Sequence, residues 1–281
     1  MKLRKVTAAS AAVLALALTA TACGSDDKDS DSADTGSGGS KKITVGIKFD
    51  QPGIGQKTPQ GYEGFDVDVA TYVAKQLGYN ADQIQWKEAK SADRETMLQR
   101  GDVDFIAASY SINDERAAKV DFAGPYLLAH QDVLIRADDD SIKTPKDLND
   151  KKLCSVTGST SAQNVKDKLA PKAQLQEYPT YSACLTGVQS GQLDALTTDD
   201  SILAGYASQA NFKGKFKLGG FKMTNENYGI GVKKGSDLKA KIDTALEKMV
   251  ADGAWEKAVT ANFGPANYKN EPAPKIGNIV K

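Results

Sequence analysis

Histidine and cysteine are scarce in this 281-residue sequence, which contains one His and three Cys. So few of these side chains leave little material for a zinc site, and we expect no bound metal and no other cofactor. A Ser-His-Asp triad would have to include His130. Lys and Arg total 36, as do Asp and Glu, so the formal net charge is zero. A general nucleic-acid binder would carry a basic surplus, so this balance argues against nucleic-acid partners.

The N-terminal apolar stretch, residues 6–20, is too short and too rich in small residues for a membrane span. It follows a basic segment at residues 2–5, so residues 1–22 are predicted to be an export signal. Ala-Thr-Ala directly precedes Cys23, and this arrangement resembles the lipobox of bacterial lipoproteins, in which that Cys is lipidated. The alternative is an ordinary cleavable signal followed by an incidental Cys.

Residues 24–42 contain only Gly, Ser, Asp, Thr, Ala and Lys. Such a tract has no large apolar side chain to bury, so residues 23–42 are predicted to be the lipidated Cys and a disordered tether. A lipid at Cys23, a tether and a globular body together indicate a protein anchored to the extracytoplasmic face of the bacterial cell membrane. We expect that protein to be a monomer.

Two cysteines, Cys154 and Cys184, remain once Cys23 is assigned to the lipid. An exported protein meets an oxidising environment, where two remaining cysteines usually pair. The loop between them would contain about 30 residues, which corresponds to roughly 3–4 kcal/mol on the chain-entropy model. The alternative is two buried free thiols.

Strand-like and helical patterns alternate from residue 43 onwards. Phe65, Val69, Val73 and Leu77 recur every four residues and predict a helix that Gly78 ends. Further helices are predicted over 92–99, 161–169, 182–189, 200–208 and 236–251, and strands over 43–47, 84–86, 103–107, 132–135, 153–156, 193–197 and 228–232. Strands that alternate with helices imply open sheets covered by helices, which is an α/β fold.

One pattern occurs twice, at residues 98–106 and 188–196. Each copy is a helix end, a Gly and then an acidic residue that enters an apolar strand. Two copies suggest two lobes of similar topology, each with a strand whose C-terminal end faces a cleft, where ligands of open α/β sheets bind. The residues that follow each copy, 109–116 and 198–200, are therefore candidates for the site.

Several of these candidates carry charge. Arg116, in a predicted helix capped by Asn113, can hold a carboxylate in bidentate fashion, or it can be a surface residue that pairs with a neighbouring acid. Residues 158–161 precede a helix whose free N–H groups can bind an anion, although simple N-capping is the alternative. Asp199 can receive an ammonium group or cap the next helix.

Positive charge also follows the first two strands. Lys48 ends the first strand, and Ser91 and Arg94 flank the helix after the second strand. Together with Arg116 they would concentrate positive charge at one cleft of a nearly neutral protein, which suits an anionic ligand. The alternative is an ordinary solvated surface.

Residues 42–264 resemble the family 3 extracellular solute-binding proteins of bacterial ABC importers, the polar amino acid class. The resemblance rests on the order and spacing of short motifs: GFDVD at 64–68, GDVD at 101–104, NDER at 113–116, VDF at 120–122, PY at 125–126, GST at 158–160, LDA at 193–195, TDD at 198–200, YGIGV at 228–232 and DGAW at 252–255. It implies the two-lobed, type II periplasmic-binding-protein fold. In that fold each lobe is a mixed sheet flanked by helices, and two crossing strands form the hinge.

The resemblance also implies the domain limits. The crossings fall near 129–131 and 225–228, so His130 lies at a hinge, where packing or hydrogen bonding is its expected role. Lobe 1 is then 43–130 plus 228–268, lobe 2 is 131–227, and the C-terminal tail is 269–281.

The family pattern assigns the ligand contacts residue by residue. The Arg that holds the ligand α-carboxylate falls on Arg116, assisted by the hydroxyl and N–H of Ser111 and by the helix-start amide of Thr160. The carbonyl that accepts from the ammonium falls on Ser109. The carboxylate that binds the α-ammonium falls on Asp199.

Members of the family that bind acidic amino acids resemble this chain further. They carry a basic residue at the position of Lys48 and a Ser and an Arg at the positions of Ser91 and Arg94. Phe49 and Tyr110 are the nearest aromatic candidates to cover the ligand. We therefore expect a lipoprotein that captures glutamate or aspartate by lobe closure and delivers it to an ABC permease.

Three alternatives belong to other specificities or classes. The first is a receptor for another polar amino acid, such as glutamine or asparagine. The second is a dehydratase-like enzyme on the same fold, although the Arg and Asp clamp leaves no obvious spare acid or base. The third is a sensor or adhesion lipoprotein that supplies no transporter.

Overall fold

The computed structural model describes residues 41–281. The predicted export signal, the lipidation at Cys23 and nearly all of the predicted tether lie outside these residues. None of the helices in the described part combines the length and apolar character that a membrane crossing needs. The chain forms sheets flanked by helices, so the predicted α/β fold class is confirmed.

The secondary structure contains twelve strands and eight α-helices within residues 41–281. The strands are β1 Ile43–Ile47, β2 Asp50–Gln51, β3 Gly55–Thr58, β4 Gly61–Glu63, β5 Ile84–Glu88, β6 Phe105–Ile106, β7 Asp121–Arg136, β8 Lys152–Val156, β9 Gln174–Tyr178, β10 Ala195–Asp199, β11 Phe216–Leu218 and β12 Asn225–Val232. The helices are α1 Phe65–Gln76, α2 Arg94–Arg100, α3 Asp114–Ala117, α4 Thr160–Asn164, α5 Tyr181–Gln189, α6 Asp200–Ser208, α7 Leu238–Ala251 and α8 Ala254–Phe263. Three 3-10 turns lie at Ala81–Gln83, Pro145–Leu148 and Gly264–Ala266, and a π-helical turn lies at Val165–Leu169.

The 16-residue strand β7 belongs to two sheets. Its residues 121–130 pair antiparallel with β12, in a first sheet of order β5-β1-β6-β12-β7. Its residues 131–136 pair with β10 and β11, in a second sheet that continues from β10 through β8 to β9. In both sheets the strands that precede the candidate site run parallel to their neighbours, β1 beside β5 and β6, and β8 beside β9 and β10.

The predicted crossing residues lie where β7 and β12 pair. His130 is opposite Asn225 and Leu127 is opposite Tyr228 in this antiparallel register. Strand β7 passes from the first sheet to the second between His130 and Gln131. His130 pairs with Asn225 of β12, whereas Gln131 pairs with Asp199 of β10. The lobe limits 43–130, 131–227 and 228–268 stay predictions.

Several elements were not predicted from the sequence pattern. The hairpin sheet β2-β3-β4 and strands β9 and β11 have two to five residues each and no clear alternation of apolar side chains. Most predicted strands have different limits: β6 covers only Phe105–Ile106, β10 extends to Asp199, and β7, predicted over 132–135, covers Asp121–Arg136. The shift of β10 matters, because it places Asp199 at the strand end.

Cys154 and Cys184 form a disulfide, as predicted. The bond joins β8 to α5, and both residues are fully buried among apolar side chains of the core. The alternative of two free thiols is therefore wrong.

Candidate functional site

The candidate residues come from the C-terminal ends of strands in both sheets. Lys48 follows β1, Ser91 and Arg94 follow β5, and the loop after β6 carries residues 109–111. That loop is attached to β12, because the Ile112 N–H donates to the Asn227 carbonyl and the Gly229 N–H donates to the Tyr110 carbonyl. In the second sheet, α4 follows β8 and Asp199 ends β10. Strand ends of this kind are where open α/β sheets bind ligands.

Lys48 is buried with only 4% of its surface exposed, and its Nζ donates to Ser91 Oγ at 2.7 Å. Burial and the neighbouring Arg94 lower the pKa of this amine well below its ordinary value. An anion placed beside Lys48 would therefore favour the charged form of this amine.

Asp66 is a buried carboxylate that the sequence interpretation did not assign to the site. One of its oxygens accepts from the Ser109 N–H at 2.7 Å, and the other accepts from the Tyr126 hydroxyl at 2.7 Å. Burial raises the pKa of Asp66 to about 6, and these hydrogen bonds together with Lys48 and Arg94 oppose the rise. Asp66 is thus an acidic group whose negative charge is favoured by two nearby bases, Lys48 and Arg94.

Asp66 also fixes the conformation of the loop after β6. Ser109 has φ 43°, in the left-handed region that costs a non-glycine residue about 1 kcal/mol. The Asp66 carboxylate holds the Ser109 N–H, and Gln51 Oε1 accepts from the Ser109 hydroxyl at 3.0 Å. These two contacts keep the carbonyl and hydroxyl of the loop at defined positions.

Tyr110 is fully buried, and two guanidinium groups lie over its ring. The central carbon of Arg94 is 4.0 Å from the ring centroid, and that of Arg116 is 5.2 Å away. Arg94 Nη1 also donates to the carbonyls of Ala108 and Ser109, at 2.9 and 3.3 Å. Burial and Arg116 lower the pKa of Arg94 to about 10, so it is positively charged at neutral pH. The aromatic face therefore keeps two like charges close together.

Arg116 is buried, with 6% of its surface exposed, so its assignment as a solvated surface residue is wrong. Its main-chain N–H donates to Asn113 Oδ1, which caps α3 as predicted. Its guanidinium donates to the carbonyl of Ser111 at 2.8 Å and to that of Gly158, beyond the end of β8, at 3.0 Å. One residue thus connects the ends of the two sheets.

Asp199 does not cap the helix that follows it, because its side chain makes no hydrogen bond to the start of α6. Its two oxygens instead accept from the hydroxyls of Tyr228, at 2.5 Å, and Ser161, at 3.4 Å. Its N-capping alternative is therefore wrong. Capping does explain Ser159, whose Oγ accepts from the Ala162 N–H at the start of α4.

Glu226 is a second acid that the sequence interpretation did not identify. Only 3% of its surface is exposed, and it accepts from Thr160 Oγ1 at 2.8 Å and from Thr224 Oγ1 at 2.7 Å. The predicted strand began at Tyr228, and extending its two-residue alternation back by one step would have placed Glu226 on the same face. The Thr160 hydroxyl therefore donates to a buried acid, whereas the predicted role of its backbone amide stays a prediction.

A cavity of about 330 Å³ opens between α2, α3 and the start of α4. Its lining includes Ser91, Arg116 and Thr160, which are three of the predicted ligand-binding residues. The other six, Lys48, Arg94, Ser109, Tyr110, Ser111 and Asp199, are buried outside this lining. Throughout residues 41–281, no group of three or more His, Cys, Asp or Glu side chains is arranged to hold a metal ion.

Four buried side-chain polar atoms lack a hydrogen-bond partner within the described residues. They are Arg94 Nε, the side-chain nitrogen of Gln51, the Tyr110 hydroxyl and Thr198 Oγ1. Buried polar atoms without partners are unusual in folded proteins, and a polar ligand is one group that could pair with them.

Comparison with known proteins gives a consistent relationship. A family model for bacterial extracellular solute-binding proteins, family 3, matches residues 43–265. The glutamate-binding protein GluB of Corynebacterium efficiens is 49% identical over 235 residues, which are 79% of each chain. The ABC transporter glutamine-binding protein GlnH of Bacillus subtilis is 40% identical over 220 residues, or 77% of this chain and 79% of the relative.

Solved structures of amino acid-binding proteins are similar to this chain as well. An ancestral arginine-binding protein bound to glutamine superimposes with a TM-score of 0.74 and 35% identity, over 79% of this chain and 98% of the other. An ancestral amino acid-binding protein described as a precursor of cyclohexadienyl dehydratase has a TM-score of 0.70 and 31% identity, over 79% and 95% of the two chains. These likenesses support the two-lobed binding-protein fold.

Proposed function

Because this chain belongs to the bacterial extracellular solute-binding proteins of family 3, we propose that it captures an acidic amino acid and delivers it to the permease of an ABC importer. The observation that carries the choice of ligand is the placement of buried charges. Lys48, Arg94 and Arg116 lie at the ends of the first sheet, whereas Asp199 lies at the end of the second. Three bases and one ammonium-binding acid suit a ligand with two carboxylates and one ammonium group.

Arg116 is the proposed partner of the ligand α-carboxylate. Within the described residues its guanidinium donates hydrogen bonds to two main-chain carbonyls. Its Nε also lies 3.6 Å from Glu95 Oε1. A carboxylate is a better acceptor than a neutral carbonyl, since hydrogen bonds between ionised groups are about twice as strong. Ser111 and the Thr160 amide are the proposed assistants, and Asp199 with the Ser109 carbonyl would hold the α-ammonium group.

Lys48, Ser91 and Arg94 are the proposed partners of the side-chain carboxylate. Lys48 and Ser91 are already hydrogen-bonded to each other, and Arg94 carries an unpaired N–H. Tyr110 would hold both arginines in place beneath the ligand. A ligand with an amide in place of the carboxylate would bring no negative charge to Lys48 and Arg94, which is less favourable for these two buried bases.

Capture by lobe closure is part of this proposal, with the predicted lobe limits and the hinge near residues 129–131 and 225–228. Contacts between residues of the two predicted lobes support it. They include Arg116 with Gly158 and Asp50 with Tyr206, whose hydroxyl donates to the Asp50 carbonyl at 2.5 Å. A ligand that contacts both sheets favours the closed form, and the permease can then distinguish loaded from free receptor. Anchoring by a lipid at Cys23 completes the proposed receptor.

Titration calorimetry over a panel of amino acids tests the ligand. We expect L-glutamate or L-aspartate to bind at least about tenfold more tightly than L-glutamine, L-asparagine and L-arginine. Tight binding of arginine or glutamine without binding of either acidic amino acid would contradict the proposal.

Glutamine is the second candidate ligand. Two comparisons favour it: the Bacillus subtilis relative is a glutamine-binding protein, and one structural neighbour holds glutamine. An enzymatic function is the less supported alternative, because the sequence relatives named above are binding proteins, whereas only a structural neighbour is a dehydratase precursor. Unchanged ligand recovered after prolonged incubation would exclude turnover.

Replacing Lys48 by methionine should separate the two ligands. The substitution keeps the length of the buried side chain and removes its charge, so we expect glutamate affinity to fall about 100-fold and glutamine affinity by less than tenfold. The measurement is calorimetry with both ligands on Lys48→Met and on Lys87→Met, a matched control on the largely exposed edge of β5. Equal losses for the two ligands in Lys48→Met would remove Lys48 from the side-chain site.

A further inference from the structure

Asp199 and Glu226 are two buried carboxylates whose hydrogen bonds all come from hydroxyl groups. Asp199 accepts from Tyr228 and Ser161, and Glu226 accepts from Thr160 and from Thr224. None of the ion pairs formed within residues 41–281 includes either carboxylate. Two buried negative charges without a basic partner are unfavourable, because burial removes the solvation of each and the two repel one another.

The surroundings of Asp199 favour its neutral form. Burial, followed by the charge of Glu226, raises the pKa of Asp199 to about 8, and Asp200 acts in the same direction. The Tyr228 hydrogen bond and the positive charge of Arg116 oppose this rise with smaller effects. The titratable groups that face Asp199 come from α3, α5, α6, β12 and the segment after α8, and they are Arg116, Tyr181, Asp200, Glu226, Tyr228 and Tyr268.

We propose that Asp199 holds a proton in the ligand-free receptor, favoured by the negative charge of Glu226 on β12, and that the ligand's ammonium group displaces this proton when it binds. The proton passes to the solvent, and the two ionised carboxylates then face the ammonium group together. This assigns Glu226 to the ammonium site beside Asp199. The proposal rests on the proposed function, since it needs an amino acid as the ligand.

The consequence is a linkage between binding and pH. Binding releases a proton only where Asp199 is protonated beforehand, so the affinity increases as the pH rises towards the pKa of Asp199 and becomes constant above it. We expect Kd to fall by up to about tenfold per pH unit between pH 6 and pH 8. Any proton taken up by Lys48, whose pKa is lowered by burial and by Arg94, would change the affinity with pH in the opposite direction.

Calorimetry at pH 7 in buffers of different ionisation enthalpy measures the protons exchanged per ligand bound. L-Glutamine isolates the ammonium end, because its side chain offers no carboxylate to Lys48, and L-glutamate in the Lys48→Met variant does the same. We expect close to one proton released in both cases. Binding without proton release in both cases would overturn the proposal. If glutamate does not bind but glutamine does, the acidic ligand is wrong, whereas the proton release is still measured with glutamine.

The Glu226→Gln variant tests whether Glu226 favours the protonated form of Asp199. An amide keeps the shape of the side chain and removes the repelling charge, so the pKa of Asp199 should fall and fewer protons should be released at pH 7 than in the wild type. Glu177→Gln removes the same charge from β9, where Glu177 pairs with Lys166, and should leave the release unchanged. Full proton release in a folded Glu226→Gln variant would remove Glu226 from the pair. If that variant does not fold, the wild-type and Lys48→Met measurements still decide whether a proton is released.

Discussion

Replacing Arg116 by alanine should weaken the binding of glutamate and glutamine alike, by about 1000-fold or more. Both ligands carry the same α-carboxylate, and truncation removes the only proposed side chain that can grip it through two N–H groups. A buried charged partner that is lost typically costs 2–5 kcal/mol, and the part of this range above about 4 kcal/mol corresponds to a loss of 1000-fold or more. The measurement is calorimetry, or competition against a tighter ligand where the heat becomes too small.

Two further variants make this result specific. Arg136→Ala removes an arginine from the distal end of β7, where it pairs with Asp138 and Asp139, and should leave both affinities within about threefold of the wild type. Arg116→Lys keeps the charge but not the planar fork, so most of the loss should remain. Retention of either ligand within tenfold in a folded Arg116→Ala variant would exclude Arg116 as the carboxylate partner.

Removing the disulfide should cause the largest loss of stability. Cys154 and Cys184 are 30 positions apart, so the bond restricts the unfolded chain by about 3–4 kcal/mol on the chain-entropy model. We expect the Cys154→Ala, Cys184→Ala double variant to lose this amount of unfolding free energy, as measured by urea denaturation in the absence of reductant.

The single variants separate the bond from the packing. Both cysteines are fully buried, so Cys184→Ala alone removes the bond and little volume. Its stability should therefore be close to that of the double variant and to that of the wild type fully reduced before unfolding. A loss below about 1 kcal/mol in all three would show that the bond contributes little beyond packing.

Most of the fold could be predicted from local sequence patterns. The four-residue repeat from Phe65 to Leu77 predicts α1 to within about two residues at each end, and the β-type run at 43–47 is β1. The capping of α3 by Asn113 was also readable, because an Asn before a charged helical turn has one common role. Elements whose length or alternation is too slight to show a period, such as β2 and β11, were not predictable in this way.

The site was only partly predictable, for a different reason. Arg116 and Asp199 lie next to strand ends and can be found from the order of elements. Asp66 cannot, because an acid in the first turn of a helix usually interacts with the helix dipole in solvent, whereas here it is buried under Ser109 and Tyr126. The alternation of β12 could place Glu226 on the same face as Tyr228, but its contact with Thr160, 66 positions earlier, could not be predicted. Partners so distant in sequence leave no local signature.

The course of the chain through β7 and β12 has a consequence for the order of folding. The second sheet uses residues 131–218, which are continuous in sequence. In the first sheet, by contrast, residues 121–130 of β7 pair only with β12, and β12 also closes the gap beside β6. During synthesis from the N-terminus, this half of β7 therefore has no neighbouring strand until residues 225–232 have been made. The inserted half of the molecule can become native first, and the half that begins the folded sequence is the last to be completed.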